Sequence, residues 1–204
     1  MKTTILKISI LFLLFSLMGA GCEKDEELIW EISPNSESAI IQKEVNGIEF
    51  KFCLLNEEGE PTTVFNQGEN FSFYFSVTNN SREMLYFYPG YAYSNENEFC
   101  RIYNSNNKDE GKPYQVLNVL DIGVGAYPFD PGESYIFEQL WVDLQDSIWS
   151  WEKGTYESTQ QKPLNKGNYH TEFQYRFQFE RPGDNPTLST DTLKFKINFK
   201  IQEK

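Results

Sequence analysis

The sequence predicts an all-β fold, an antiparallel β-sandwich of about seven to nine strands. Three observations lead there. Aromatic residues make up 16% of the chain, with 17 Phe and 12 Tyr, a composition that suits strands. Apolar residues recur with a period of two through several long segments, as they do in half-buried antiparallel strands. No long stretch has helical periodicity, and the best short helical candidate is Asp143 to Lys153.

Taken in chain order, the first two strands are Ala39 to Val45 and Ile48 to Leu55. Asn46-Gly47 between them is a strong hairpin signal, because both residues tolerate positive φ. Glu69 to Thr78 places Phe71, Phe73, Phe75 and Val77 on one face. Weaker strand candidates are Met84 to Tyr88, Glu98 to Tyr103, Tyr114 to Val119 and Ser134 to Trp141. Asn168 to Glu180 turns Tyr169, Thr171, Phe173, Tyr175, Phe177 and Phe179 inward, and His170, Glu172, Gln174, Arg176 and Gln178 outward. Thr192 to Ile201 turns Leu193, Phe195, Ile197, Phe199 and Ile201 inward, with Lys194, Lys196 and Lys200 outward. Two strands start alike: Phe65-Asn-Gln-Gly-Glu-Asn-Phe71 and Phe129-Asp-Pro-Gly-Glu-Ser-Tyr135. A tight glycine turn running into a strand is a common local solution, so the likeness does not require a repeat.

The motif Leu164-Asn-Lys-Gly167-Asn-Tyr169, just before the penultimate strand, resembles the tyrosine corner of immunoglobulin-like sandwiches. The order of motifs from Phe65 to Ile201 is similar to that of the bacterial intracellular proteinase inhibitor family. It runs from a G-E-x-aromatic strand ending in Val77-Thr-Asn-Asn-Ser81, through a P-G-E-S strand, to L-x-x-G-x-Y. The resemblance implies an immunoglobulin-like fold. It also implies a proteinase-inhibitor-like domain as one alternative function, although no inhibitory loop is identifiable by residue and that family works in the cytoplasm.

The first residues specify an address. Lys2 and Lys7 are basic, Ile8 to Met18 is apolar apart from Ser9 and Ser16, and Gly19, Ala20 and Gly21 are small. This is the layout of a signal peptide covering 1–21, with an apolar run too short to serve as a spanning helix. Cys22 directly after the small residues resembles the lipobox of bacterial lipoproteins, with Gly19 where leucine is commonest. The resemblance implies lipidation of Cys22, cleavage before it and a membrane partner through that anchor, stable because two or more acyl chains hold it. Glu23-Lys24-Asp25-Glu26-Glu27 resembles the surface-export signal of Bacteroidetes lipoproteins. That implies the outer membrane, facing the cell exterior, with the periplasmic face as the alternative. Residues 22–38 read as an acidic tether and linker, and 39–204 as one sandwich domain.

Net charge is −12 over the full sequence, and residues 1–21 hold two lysines and no acid, so the remainder stands at −14. Such a chain has no electrostatic reason to seek nucleic acid. Cys53 and Cys100 would share a compartment that permits disulfides, and are either bridged or two buried thiols.

The one histidine, His170, faces outward beside Glu172 and reads as a solvated side chain. One histidine does not make a transition-metal site, and no G-x-S-x-G turn presents a nucleophile. Asn104 to Gly111 is a polar hairpin loop rather than a calcium loop. The expectation is therefore a non-catalytic protein without a cofactor. The candidate ligand-binding residues are aromatic: Tyr86, Tyr88, Tyr91 and Tyr93 around a turn, and Trp141, Trp149 and Trp151 in or beside the long segment Val142 to Lys166. Flat amphipathic rings suit a glycan or a protein ligand, but the same rings are what a sandwich core needs. The leading function is a lipid-anchored, surface-exposed binding protein. A structural part of a cell-surface assembly is a further alternative.

Overall fold

The computed structural model describes residues 29–93, 98–113, 126–143, 147–150, 154–158, 161–183 and 185–204. In chain order the strands are β1 (Ile29–Ile32), β2 (Ile40–Val45), β3 (Ile48–Leu55), β4 (Val64–Asn66), β5 (Ser72–Asn79), β6 (Leu85–Phe87) and β7 (Ile102–Asn104). They continue with β8 (Asp109–Gly111), β9 (Tyr127–Phe129), β10 (Ser134–Leu140), β11 (Ser147–Ser150), β12 (Thr155–Ser158), β13 (Gly167–Glu180) and β14 (Leu188–Gln202). The described residues hold one 3-10 turn, Gly90–Tyr93, and no α-helix.

Two sheets make the sandwich. One runs β10-β5-β3-β2, all antiparallel. The other runs β1-β14-β13-β6-β9, with β7 also on β13 and β4 also on β14. β5 lies between β3 and β10, and β13 between β14 and β6, so the two sheets face each other as a β-sandwich. The core between the sheets is largely phenylalanine. Phe52 meets Phe173 at 5.4 Å, Phe75 meets Phe195 at 5.5 Å and Phe50 meets Phe177 at 4.6 Å between ring centres. Most of these pairs are tilted or edge-to-face, which sets the positive edge of one ring on the negative face of the next.

Local chemistry forms as the sequence predicts. Asn46 and Gly47 take φ of 54° and 77°, and β2 and β3 pair without slippage from that turn. Tyr169 Oη donates to the Asn165 carbonyl at 2.8 Å, which closes the tyrosine corner. Gly167 leaves room for that ring, since a Cβ there would stand 3.3 Å from it. The two F-x-x-G-E segments fold alike. Glu69 N donates to Asn66 O and Glu133 N to Asp130 O, both at 3.0 Å, around Gly68 and Gly132 at φ of 86° and 82°. In each, the glutamate carboxylate accepts from the backbone N–H of the residue after the phenylalanine, Asn66 or Asp130, at 2.8 and 2.9 Å.

Four readings change. The described residues alone hold 14 strands, above the expected seven to nine, because short pieces such as β4, β8 and β9 span too few residues to show a period. The linker reading of 22–38 fails from Ile29 onward: β1 pairs in parallel with β14, and Ile32 joins the core. Asp143 to Lys153 is not helical where described, since β11 pairs with β12 as a hairpin. Of Glu98 to Tyr103 only the end is strand, because Glu98 and Cys100 adopt left-handed φ of 60° and 62°. The predicted strand Tyr114 to Val119 lies outside the described residues.

The cysteine pair resolves to free thiols. Cys100 is part of the core between the sheets. Cys53 alternates with the core residues Phe52 and Leu54, so it faces away from that core, beside Tyr74 and Ile40. A bridge would have to cross the sheet. Burial pushes the Cys53 thiol up to about 11 and raises the Cys100 thiol well above its usual value, which disfavours the thiolate at both.

Candidate functional site

The aromatic residues that the sequence groups together do not form one surface. Tyr86 is half-buried in β6, opposite Glu180 and Pro128. Tyr88 is 41% exposed. Tyr91 is a correction: it is buried, with its ring 4.9 Å from Phe75 and 5.0 Å from Phe99. The 3-10 turn drives it inward. Gly90 makes that turn possible, because a Cβ there would stand 2.7 Å from Tyr175 Oη and 2.8 Å from the Tyr88 ring. Tyr93 ends the turn.

Trp141 is the second correction. It is buried, lies parallel to Phe71 at 6.0 Å, and donates from Nε1 to the Lys162 carbonyl at 2.9 Å. A satisfied, stacked indole is a core residue. Trp149 lies in β11 opposite Tyr156. Trp151 and Cys22 lie outside the described residues.

The residues that do converge are polar. β13 and β14 pair over most of their length, and strand alternation sends every second side chain outward. His170 faces Asn198 across the pair, Glu172 faces Lys196 and Asn168 faces Lys200. This floor has two walls. Ser33 to Asn35, after β1, rises on the β14 side, and the β7–β8 turn rises beside β13. Together they enclose a groove of about 740 Å³, well within the size range of small-molecule sites.

The groove is held by specific contacts. Asn198 Nδ2 donates to Glu31 Oε1 at 2.6 Å and to the Ile32 carbonyl at 3.2 Å, which ties the β1 wall to the floor. Lys196 Nζ stands 3.7 Å from Glu31, and Lys194 Nζ stands 3.9 Å from Glu172. On the other wall, Asn104 Oδ1 accepts from the backbone N–H groups of Asn106 and Lys108. That confirms a polar hairpin turn. Tyr103 stacks on His170 at 5.4 Å and 20°, and its hydroxyl donates to Glu98 at 2.7 Å. Burial and that bond push the tyrosine up to about 12.

Partial burial lowers the pKa of His170. Lys196 acts in the same direction, while Glu172 and Glu31 oppose it. The imidazole is therefore neutral at pH 7, a donor at one nitrogen and an acceptor at the other. Among the described residues no serine hydroxyl bonds to it, and no group of three His, Cys, Asp or Glu could hold a metal. Amides, hydroxyls, a neutral imidazole and charged rims suit reversible hydrogen bonding to a polar ligand. Sequence reasoning turned His170, Glu172, Lys196 and Lys200 outward but did not single out Asn168 or Asn198, and missed the groove. Its walls come from a segment read as linker and from two strands of three residues or fewer in the hairpin.

A second, smaller hollow of about 390 Å³ lies by Gly68, Asn70, Leu140 and Val142. Asn70 spans its base, exchanging hydrogen bonds with the Val142 backbone at 2.9 and 3.0 Å. The chain matches no protein-family model and no curated protein at a significant level.

Proposed function

We propose that this is a non-catalytic binding protein, exported, lipid-anchored at Cys22 on the outer membrane and facing the cell exterior, whose ligand is a glycan. The observation that carries the binding reading is the polar groove across β13 and β14, with Asn168, Asn198 and His170 on its floor. A sugar offers many hydroxyls in a fixed ring. Planar amides and an imidazole pair with such hydroxyls as both donors and acceptors. The Tyr103–His170 stack adds a ring surface for a sugar face. The address rests on the lipobox-like residues before Cys22 and the acidic run after it.

Two experiments test the two halves. Mass spectrometry of the protein from its host should find Cys22 acylated at the new amino terminus, and protease shaving of intact cells should remove the domain. An unlipidated or protected protein would defeat the address. A glycan screen with the full chain in detergent should give a ligand whose binding is lost in Asn198→Ala and His170→Ala, with the melting temperature little changed. Undiminished binding in both variants would defeat the site.

A further inference from the structure

We infer that β10 is an open docking edge for an extended, basic segment of another protein, which would add to the four-stranded sheet as a fifth strand. Among the described residues β10 pairs only with β5, through seven consecutive partners from Ser134–Thr78 to Leu140–Ser72 with no bulge. Its other side therefore presents a regular row of backbone donors and acceptors, the feature that strand addition uses.

The other sheet edges among the described residues are short or charged. β9 is three residues long and contains Pro128. β1 and β8 have four and three residues. β2, the other edge of the same sheet, carries exposed Lys43 and Glu44 and has β1 beside it. β10 has no proline and no lysine or arginine. Two of its outward side chains are large, apolar and exposed: Ile136 at 60% and Leu140 at 46%. A long, flat, apolar edge is ordinarily selected against, because it recruits strands indiscriminately.

What restrains this edge is charge. From Asp130 to Asp143 there are four acids, Asp130, Glu133, Glu138 and Asp143, and no base. Glu138 stands between Ile136 and Leu140 on the outward face, where Ser72 Oγ donates to it at 3.2 Å. A second copy would bring glutamate against the same acidic edge in a chain of net charge −12, so homotypic pairing is disfavoured. An incoming strand that alternates lysine or arginine with apolar residues would pair its cations with Glu138 and cover Ile136 and Leu140.

The test uses the full chain in detergent and a synthetic ten-residue peptide alternating lysine and valine. Its controls are a glutamate–valine peptide and a lysine–valine peptide interrupted by proline. The alternating basic peptide should slow hydrogen exchange at β10 amides and leave β13 and β14 unchanged, while neither control does so. Glu138→Lys should weaken binding about tenfold or more. Should that variant misfold, Ile136→Ser carries the same test, and unchanged affinity in it would overturn the inference. The inference also falls if the proline-broken peptide binds equally, if β10 amides are already slow in the chain alone, or if the chain dimerises through β10.

Discussion

The inner face of β13 packs Tyr169, Phe173, Tyr175, Phe177 and Phe179 against the opposite sheet, while its outer face turns His170, Glu172, Gln174, Arg176 and Gln178 away. One strand thus carries two independent properties, one residue apart. The inner residues make many ring contacts, and their loss leaves a hole. The outer residues make few, replaceable contacts, and two of them, His170 and Glu172, line the groove. Stability and recognition can therefore be changed separately on the same backbone.

Substitutions on β13 can break that comparison. Phe173 touches the rings of Phe52, Phe75, Phe99 and Phe195, so Phe173→Ala should cost about 3–5 kcal/mol in denaturant unfolding. Thr171 is the exception on the inner face: it is fully buried, and its hydroxyl has no hydrogen-bond partner among the described residues. Thr171→Val keeps the shape and removes the unpaired group, so it should raise stability by about 1–2 kcal/mol. Tyr169→Phe removes only the corner bond to Asn165 and should cost about 0.5–1.5 kcal/mol, read from the midpoint of the same titration.

The smallest effect belongs to the outer face. His170→Gln should change stability by less than about 0.5 kcal/mol at pH 7.5. Its signature is in pH. Burial lowers the folded-state pKa of His170, so the unfolded chain takes up the proton first as pH falls. The stability at stake is intact above the ordinary histidine value of about 6.5 and declines as pH drops through it. The melting temperature of His170→Gln should therefore fall less between pH 7.5 and 5.5 than that of the parent. Equal falls would show that the imidazole is fully solvated.

The framework was legible because β3, β5, β13 and β14 are long and alternate cleanly, and because Asn46-Gly47 and Leu164 to Tyr169 have narrow geometric solutions. The groove was not. Its walls depend on β1 pairing with a strand far along the sequence and on a hairpin of three-residue strands, neither of which leaves a periodic trace. Two aromatic candidates, Tyr91 and Trp141, are core residues for another reason: burial of a ring is decided by how the chain around it folds back. Tyr88 and Tyr91 are three residues apart in a tyrosine-rich run, yet one is exposed and the other is in the core.

The most direct test of the division between the faces is a hydrogen-exchange footprint of the full chain, with and without the tightest glycan from the screen. Protection should appear in residues 33–35, 168–172 and 196–200, the walls and floor of the groove, with no change around Tyr88. Protection centred on Tyr86 and Tyr88, or none on β13 and β14, would contradict the assignment of recognition to that outer face.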